Sequence, residues 1–367
     1  MNELPVSVVI PTYNRAKHIV RSLRSVLAAI APGDEVIVVD DGSTDNTREA
    51  LEPYRDRIRY VMGPHRGAGA ARNCGIAEAR HPLVAFNDSD DEWFPDKLAL
   101  QRAFMQARPD VLFCFSDLGL RDEDGTESNN GLFGWHRDPR SWDEILGPSA
   151  PYSSIAALPP GRKDFNVHIG SLYETMVREN YVPTQATVVR REQAGDALHF
   201  GEDIRFYEDQ ICFIRLSRIG KAAYFDCETV WQCGHSEPRL TEVNTFDKAT
   251  SRITVLQRTF GTDAQFLARH NESYRMALKH EHLARARHFI RNGRQEDARE
   301  ELRMAQGGPL ALRLLTAIPS PMAQGMLEMA RLAKYQLYKL LMNNVRYAIP
   351  VIYAASGENL CLERIYE

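Results

Sequence analysis

The segment LVAFNDSDDEW, residues 83–93, changes from apolar to acidic within a few positions. Its first half is a short apolar run, which predicts a buried strand. Three aspartates, Asp88, Asp90 and Asp91, follow that run. Carboxylates this close repel one another unless a cation lies among them, and their oxygens are ligands that Mg²⁺ and Mn²⁺ prefer, especially where a substrate diphosphate completes the coordination shell. The segment therefore predicts a metal site at the end of a strand; the simpler alternative is an acidic turn that begins a helix.

The residues before this segment alternate between predicted strands and predicted helices. Apolar runs rich in β-branched residues at 6–10, 35–39 and 58–62 are typical of buried strands. Their β-α-β-α-β-α-β order predicts an α/β fold, a mostly parallel sheet with helices on both faces. Ligands of such sheets bind beyond the carboxyl ends of the strands, where this chain has the polar clusters PTYN, DDGS and NDSDD. We expect these clusters to form one shared site.

A glycine-rich segment, GAGAAR at residues 67–72, partly matches a dinucleotide-binding motif. That motif belongs after the first strand, where this chain has Pro11-Thr12, and its third glycine is replaced here by Arg72. We therefore reject a dinucleotide site. Small residues and an arginine at the start of a helix favour a shelf for a phosphate or nucleobase; the alternative is an arginine on the helix surface.

Charge is distributed unevenly along the 367 residues, which are enough for a catalytic domain and an appended one. Residues 1–250 contain 28 Lys and Arg against 38 Asp and Glu, whereas residues 251–367 contain 17 against 11. This shift predicts a domain boundary near residue 250. The six cysteines form no C-x-x-C pair, so we expect free thiols in a reducing cytoplasmic compartment. We expect no signal peptide and no membrane span.

Four motifs follow one another in the order and spacing of the family 2 inverting glycosyltransferases. They are VSVVIPTYNR, IVVDDGSTDNT, RGAGAARNCGIAEA and LVAFNDSDDEWFPDKLALQ. The resemblance is close over residues 6–101 and looser to about residue 245. It implies the GT-A fold of nucleotide-diphospho-sugar transferases.

This resemblance, together with the charge shift, predicts the domain organisation. We expect a GT-A catalytic domain over residues 1–245. Its nucleotide-sugar-binding half is predicted at residues 1–115 and its acceptor-side half at residues 116–245. An α-helical C-terminal extension is predicted over residues 246–367.

The resemblance also implies which residues bind the donor. The predicted backbone cradle for the nucleoside consists of Pro11, Thr12 and Tyr13. Asp41 resembles the carboxylate that reads the nucleobase and ribose, with Asp40 as its neighbour. Arg72 resembles the arginine that reaches the nucleotide.

The segment Asp88-Ser89-Asp90 resembles the metal-binding D-x-D motif of the family. The resemblance implies Mn²⁺ or Mg²⁺ as cofactor, with Asp90 as the more direct ligand and Asp88 and Ser89 contributing to donor binding. His235 resembles a late histidine of the family that lies near the metal or diphosphate. The alternative for His235 is a loop histidine bonded to backbone.

The segment FYEDQICFIRL, residues 206–216, predicts a helix that begins at Glu208-Asp209. Acids in a first turn can simply stabilise the helix dipole, by about 0.3–1 kcal/mol. The spacing from E-D to R-L, however, resembles the E-D motif of the family, whose aspartate is the general base for the acceptor hydroxyl. This resemblance implies Asp209 as the base. A rival pair, Glu202-Asp203, has no R-L at the corresponding distance.

The C-terminal part of the chain reads as helices, with a predicted break at Asn292-Gly293. The pattern from Leu283 to Ala305 resembles a single helical hairpin of the tetratricopeptide kind. Residues 309–356 contain five Lys and Arg and one acid among many apolar residues. Such helices can lie on anionic membranes; the alternative is a helical cap on the protein or on a partner.

These observations predict a metal-dependent inverting glycosyltransferase. The resemblance implies a nucleotide-sugar donor, most commonly a UDP-sugar, and a glycan or lipid-linked acceptor in cell-surface polysaccharide or glycolipid synthesis. We expect a cytoplasmic protein at the inner face of the membrane and no nucleic-acid partner. The alternatives are a catalytically degenerate sugar-nucleotide-binding or scaffolding protein on the same fold, and a sugar-nucleotide pyrophosphorylase, which would need a glycine-rich loop with a lysine after the first strand.

Overall fold

A computed structural model describes residues 4–135, 140–237, 244–330 and 332. The described strands are β1 (Val6–Thr12), β2 (Glu35–Asp40), β3 (Arg59–Met62), β4 (Leu83–Phe86), β5 (Glu92–Trp93), β6 (Val111–Arg121), β7 (Glu127–Ser128), β8 (Ser149–Pro151), β9 (Asn166–Gly170), β10 (Val188–Arg190) and β11 (Lys221–Cys233). The described helices are α1 (Ile19–Ala29), α2 (Thr47–Leu51), α3 (Ala68–Glu78), α4 (Lys97–Ala107), α5 (Gly131–Trp135), α6 (Trp142–Leu146), α7 (Arg191–Ala194), α8 (Glu208–Ile219), α9 (Thr245–Arg258), α10 (Ala264–Arg291), α11 (Gln295–Met304) and α12 (Leu310–Leu315). Residues 320–330 are also helical.

The chain divides into two compact units that interleave in sequence. The first unit comprises Met1–Glu242 and Thr254–His270, and the second comprises Val243–Ile253 and Asn271–Glu367. The sequence predicts one boundary after residue 245, whereas the chain passes between the units more than once. Within the described residues, no helix is long and apolar enough to cross a membrane.

The described part of the first unit is built on one mixed sheet of eleven strands, in the order β3-β2-β1-β4-β10-β6-β11-β9-β8, with β5 paired to β11 and β7 to β6. Strands β1 to β4 are parallel to one another, which confirms the predicted α/β class. Strand β10 is antiparallel to both β4 and β6, so β4 and β6 run in the same direction, and β11 is parallel to β6. The carboxyl ends of β1, β2, β4, β6 and β11 therefore lie along one edge of the sheet.

The central strands are buried because helices cover both faces of the sheet. Every residue of β1 is buried, as are the last five residues of β2. This explains the continuous β-branched runs, which are typical of parallel strands covered on both sides. On one face, α3 packs so closely on β1 that a Cβ added to Gly75 would lie 2.3 Å from Cγ1 of Val9.

Residues 126–166, which look irregular in sequence, contain several short elements. Helix α6 begins with a capping box, in which Ser141 and Glu144 each bond the other's backbone N–H. The Trp142 ring stacks on Tyr224 of β11 at 3.8 Å between centroids. Tyr152 is fully buried and donates a hydrogen bond to the carbonyl of Leu100. These two aromatic residues therefore contribute to packing of the first unit.

The described part of the second unit is helical. Helix α10 ends at Arg291 and α11 begins at Gln295, which confirms the break predicted at Asn292-Gly293. The hydrophobic core of the second unit includes Ala286, Phe289, Ile290, Ala298, Leu302, Leu312, Leu315 and Ala323. Several of these core residues lie within the predicted helical hairpin, between Leu283 and Ala305. Inside the unit, buried Glu301 accepts from His282 at 2.7 Å and pairs with Arg285 at 2.8 Å.

Replacing Gly75 with alanine tests the close packing of α3 on β1. The added methyl group would overlap Val9, which lies in β1, a fully buried strand of the sheet. We expect Gly75→Ala to lower the free energy of unfolding by about 1–3 kcal/mol, the usual cost of overpacking a core. Urea unfolding measures this change.

Gly325→Ala is the matched control, because Gly325 is helical and a Cβ there would meet no atom within 4 Å. Alanine favours a helix over glycine, so this variant should be as stable as the wild type or more stable, by up to about 1 kcal/mol. Equal stability of Gly75→Ala and the wild type would contradict the packing described.

Candidate active site

The three polar clusters predicted from the sequence meet at one edge of the sheet. Thr12, the last residue of β1, pairs with Asp40, the last residue of β2. The backbone N–H of Asp41 donates to the carbonyl of Thr12 at 2.8 Å. On the other side of β1, the N–H of Asn87 donates to the carbonyl of Val9 at 3.1 Å. The parallel register thus places PTYN, DDGS and NDSDD side by side.

Asp41 fixes the loop that begins α3. Its Oδ2 accepts a hydrogen bond from the N–H of Gly67 at 2.7 Å, and its Oδ1 accepts from the N–H of Arg66 at 3.3 Å. Gly67 has a φ of +94°, a conformation that glycine adopts without strain. The carboxylate of the DDGS cluster and the glycine-rich segment therefore form one structural unit.

The predicted nucleoside cradle has an open side. Tyr13 is 45% exposed, and its ring lies 5.5 Å from that of His65. The Oγ1 atom of Thr12 is buried and has no hydrogen-bond partner in the described part of the chain. Buried hydroxyl groups are normally paired, so the Oγ1 atom of Thr12 is available for a polar contact with a ligand. Pro11, the third residue of the cradle, is buried inside β1.

Asp40 holds the turn after β2. Its Oδ1 accepts from the N–H of Ser43 at 2.7 Å, and its Oδ2 accepts from the hydroxyl of Tyr60 at 2.5 Å. Burial, followed by the hydrogen bond to this carboxylate, raises the pKa of Tyr60. Both oxygens of Asp40 are thus engaged by the protein, and the observed role of this residue is to shape the cradle.

Arg72 joins two acidic motifs that are far apart in sequence. Its Nη2 lies 2.7 Å from Oδ1 of Asp88, and its Nη1 lies 3.0 Å from Oε1 of Glu208. The guanidinium also lies over the ring of Phe200, 5.3 Å from the centroid. Burial alone would lower the pKa of Arg72, but Asp88 and Glu208 raise it above its ordinary value. Arg72 is 6% exposed, so the alternative of a helix-surface arginine is wrong.

Asp209 lies in the first turn of α8, which begins at Glu208 as predicted. Its Oδ2 accepts from Nδ2 of Asn180 at 3.0 Å and lies 3.5 Å from Oγ1 of Thr184, while its Oδ1 accepts from the N–H of Gln210 at 2.8 Å. Burial raises the pKa of Asp209, and Arg72 opposes this shift only in part. A general base works best when its pKa approaches the working pH, so this environment suits proton abstraction.

Glu208 is a second carboxyl group with an altered pKa. Burial, and then the neighbouring charge of Asp209, raise the pKa of Glu208 to about 7, while Arg72 opposes the shift. Two adjacent buried carboxyl groups and one guanidinium therefore share this part of the site.

Asp90 is held by groups from two other parts of the chain. Its Oδ2 lies 2.8 Å from Nε2 of His235 and 3.4 Å from Nε of Arg15. The side chain of His235 is buried; its Nδ1 lies 3.1 Å from the carbonyl oxygen of Glu237, and its ring stacks on His18 at 4.7 Å. The structure thus brings His235 to the D-x-D motif.

The other residues of the acidic segment have packed surroundings. Ser89 is buried. Asp91 is also buried, and its Oδ1 accepts from the N–H of Cys233 at 3.1 Å. Asp91 therefore ties the D-x-D segment to the end of β11.

These donors fit a divalent cation that a diphosphate completes. In the described part of the chain, no group of three or more His, Cys, Asp or Glu side chains lies close enough to hold a metal alone. Mg²⁺ and similar ions are commonly bound through one or two carboxylates, water and substrate phosphates. Asp88 and Asp90 provide such carboxylates, and His235 adds a nitrogen beside Asp90.

The rival pair Glu202-Asp203 is engaged elsewhere. Glu202 accepts from Asn73 at 3.0 Å and pairs with Arg66 at 3.0 Å. Asp203 is an exposed residue that pairs with Arg258 at 2.8 Å. Both carboxylates take part in ion pairs that do not include Arg72 or the D-x-D motif.

The sequence did not indicate the residues that hold the carboxylates of the candidate site. Asn180 and Thr184 precede β10 in the sequence, and nothing in their spacing marks them as partners of Asp209. Arg15 follows the PTYN cluster, and its contact with Asp90 requires the tertiary fold. The only available signal was their nearness in sequence to recognised motifs.

Comparisons with known proteins agree with the predicted family. Residues 7–149 match the model described as glycosyl transferase family 2. The putative teichuronic acid biosynthesis glycosyltransferase TuaG of Bacillus subtilis is 42% identical over 125 residues, which cover 33% of this chain and 49% of TuaG. The UDP-Glc:alpha-D-GlcNAc-diphosphoundecaprenol beta-1,3-glucosyltransferase WfgD of Escherichia coli is 38% identical over 107 residues, covering 29% and 42%. The chain thus spans less than half the length of these two relatives.

Two solved structures share the fold. Residues 1–349 of S. aureus TarS in complex with UDP-GlcNAc superimpose with a TM-score of 0.52 at 18% identity, covering 82% of this chain and 89% of that one. The mannosyltransferase PcManGT from Pyrobaculum calidifontis, in complex with GDP-Man and Mn²⁺, gives a TM-score of 0.50 at 18% identity, covering 96% and 88%. At this identity the likeness concerns the fold alone, and it confirms the predicted GT-A fold.

The raised pKa of Glu208 predicts how stability depends on pH. The unfolded chain releases this proton near the ordinary pKa of 4.5, whereas the folded protein retains it until about pH 7. The folded state therefore binds more protons between these values, and its stability falls as pH rises through this window. We expect Glu208→Gln to remove roughly 1–3 kcal/mol of this pH dependence, measured by urea unfolding at a series of pH values.

Glu202→Gln serves as the control, because Glu202 is a partly exposed glutamate outside the Arg72 cluster. This variant should retain the slope of the wild type. An unchanged slope in Glu208→Gln would mean that the pKa of Glu208 in the folded protein is not raised.

Proposed function

We propose that this protein transfers a sugar, with inversion, from a nucleoside diphosphate donor to an acceptor hydroxyl, because residues 7–149 match the model described as glycosyl transferase family 2. The observation that carries this proposal is the bridge that Arg72 makes between Asp88 and Glu208. This bridge places the D-x-D motif, which we propose binds the donor diphosphate, close to Asp209, the neighbour of Glu208, whose carboxylate is suited to proton abstraction. A scaffolding protein would have no need of this juxtaposition.

Inversion requires one displacement at the anomeric carbon. The acceptor oxygen forms a bond to that carbon from the side opposite the diphosphate, and the bond from the carbon to the diphosphate oxygen breaks. Asp209 accepts the hydroxyl proton of the acceptor, while Asn180 and the N–H of Gln210 fix the orientation of its carboxylate. The leaving group departs as the nucleoside diphosphate.

The geometry of the sheet edge supports the proposed donor contacts. Thr12 and Tyr13 contact the nucleoside beside the loop that Asp41 holds. Asp88, Asp90 and His235 would hold Mn²⁺ or Mg²⁺ together with the donor diphosphate. When bound, the ion neutralises the negative charge that develops on the leaving diphosphate.

The names of similar proteins support the substrate classes. TarS has been solved with UDP-GlcNAc, and WfgD is named for UDP-Glc and a diphosphoundecaprenol acceptor. We infer a UDP-sugar donor, a glycan or lipid-linked acceptor and a role in cell-surface polysaccharide or glycolipid synthesis. A lipid-linked acceptor would require the protein to work at the inner face of the membrane, and we propose that residues 309–356 make a peripheral contact there.

Asp209→Asn tests the assignment of the base. The substitution keeps the shape of the side chain and removes its capacity to accept a proton, while the donor contacts come from other residues. We expect sugar transfer to fall by about 10²–10⁴-fold, the usual contribution of a positioned base, and UDP affinity to change little. Transfer to a lipid-linked acceptor and calorimetric titration with UDP measure the two quantities.

Asp203→Asn is the matched control at the rival pair and should transfer sugar at nearly the wild-type rate. Loss of transfer in Asp203→Asn with activity retained in Asp209→Asn would mean that the base is assigned to the wrong pair. Equal activity of both variants and the wild type would exclude either aspartate as the base.

Asp90→Asn tests the metal site. If Asp90 holds the cation that binds the diphosphate, UDP affinity should be higher with Mn²⁺ than with EDTA in the wild type, and this difference should largely disappear in the variant. Calorimetric titration of both proteins with UDP, with and without Mn²⁺, measures it. Glu202→Gln should behave as the wild type. Equal UDP affinity of the wild type in Mn²⁺ and in EDTA would contradict the metal assignment.

A further inference from the structure

The second unit contains an open groove of about 680 Å³ that combines positive charge with apolar surface. We name it the arginine groove and define it by Arg299, Arg303, Arg313, Leu302, Leu310 and Leu314. The first two arginines and Leu302 lie on α11, and the other three residues lie on α12. We propose that the arginine groove binds the phosphate headgroups of an anionic lipid membrane, with its leucines in contact with the hydrocarbon.

The three arginines leave hydrogen-bonding capacity for phosphate oxygens. Arg299 donates from Nε to the carbonyl of Thr316 at 3.3 Å, and Arg303 pairs with Glu300 one turn earlier on the same helix. For Arg313, no ion-pair partner exists within the described ranges. A guanidinium carries five N–H donors and binds phosphate in a bidentate manner, so this cluster retains donors for a headgroup.

The apolar part of the groove is exposed on one side. Leu302 is buried, whereas Leu310 is 66% exposed and Leu314 is 57% exposed. These last two residues are four apart on α12, so they lie on the same helix face. Large apolar side chains grouped in this way on a surface mark an interaction site.

The helical residues 320–330 extend this apolar character. Met322, Met326 and Met329 follow one another at intervals of four and three residues, which places them on one helix face. They are 61%, 56% and 72% exposed. The second unit therefore presents exposed apolar stripes on two successive helical segments.

Charge complementarity favours an anionic lipid surface over other occupants. The arginines match phosphate, and the adjacent leucines and methionines match the hydrocarbon just below it, which is how basic amphipathic segments bind membranes. A free phosphate would use the arginines and leave the apolar side chains in water. This inference deepens the membrane contact proposed above and assigns it to described residues, and it does not depend on sugar transfer.

The test uses the whole chain of 367 residues and vesicles of phosphatidylcholine with phosphatidylglycerol, compared with vesicles of phosphatidylcholine alone. Each arginine near an anionic surface contributes about fivefold to binding, so the double variant Arg299→Gln, Arg313→Gln should bind about 25-fold more weakly. The double variant Leu310→Ser, Leu314→Ser should also bind more weakly, by about tenfold or more. Co-sedimentation measures binding, and thermal unfolding checks that each variant folds.

Two control variants distinguish the groove from other sources of charge. Arg57→Gln with Arg291→Gln removes two exposed arginines outside the groove and should bind nearly as well as the wild type. Lys334→Gln with Lys339→Gln removes the same charge from a later part of the chain and should have a smaller effect than the groove variant. Equal loss in all three double variants would mean a non-specific charge effect and would overturn the proposal.

Three other outcomes also overturn it. One is a groove variant that binds as the wild type does while Lys334→Gln, Lys339→Gln loses binding, which would place the contact in the later segment. Another is release of the protein from the vesicles by inorganic phosphate but not by chloride of equal ionic strength, which would indicate a site for small anions. A third is equal binding to both kinds of vesicle.

The single variant Arg313→Gln keeps the test decisive if a double variant fails to fold, because Arg313 is exposed and its side chain has no described ion pair. It should bind about fivefold more weakly, and wild-type binding would count against the proposal. UDP affinity, measured in parallel, should be unchanged in every groove variant. Failure of the membrane inference would therefore leave the proposed sugar transfer untouched.

Discussion

The arrangement of the candidate site depends on the two ion pairs that the buried guanidinium of Arg72 makes. The guanidinium pairs with Asp88 from the segment after β4 and with Glu208 from the start of α8. These carboxylates and that of Asp209 lie close together and are poorly solvated, so their negative charges repel one another. The guanidinium offsets this repulsion, and removing it would leave buried charges uncompensated. One cation thus allows the D-x-D motif and the E-D motif to share a small space.

The sheet explains why these groups can converge. Parallel strands place successive loops at a single edge, and the DDGS and NDSDD clusters flank PTYN because β2 and β4 flank β1. The antiparallel strand β10 lies between β4 and β6, so residues just before it, including Thr184, arrive at the same edge. The residues predicted to bind the donor and the groups around Asp209 therefore come from the two halves of one sheet.

The two units carry different kinds of surface. The first has an acidic edge in which carboxylates are held by arginines, histidine and backbone N–H groups. The second has exposed arginines, leucines and methionines around α11 and α12. This difference corresponds to the change in charge near residue 250. An acidic site can hold a cation and a diphosphate, whereas a basic apolar surface suits an anionic lipid interface.

The sequence by itself determined the alternation of strands and helices from β1 to β4, the start of α8 at Glu208 and the break after Arg291, because periodicity and helix ends depend on neighbouring residues. The resemblance to family 2 glycosyltransferases assigned the D-x-D and E-D motifs to their positions in the sequence. Only the tertiary structure decided that Arg72 joins Asp88 to Glu208, that His235 meets Asp90 and that Asn180 holds Asp209. The first two contacts join residues 136 and 145 positions apart, and local spacing contains no information about such pairs. The interleaving of the two units in sequence is likewise not visible in local spacing.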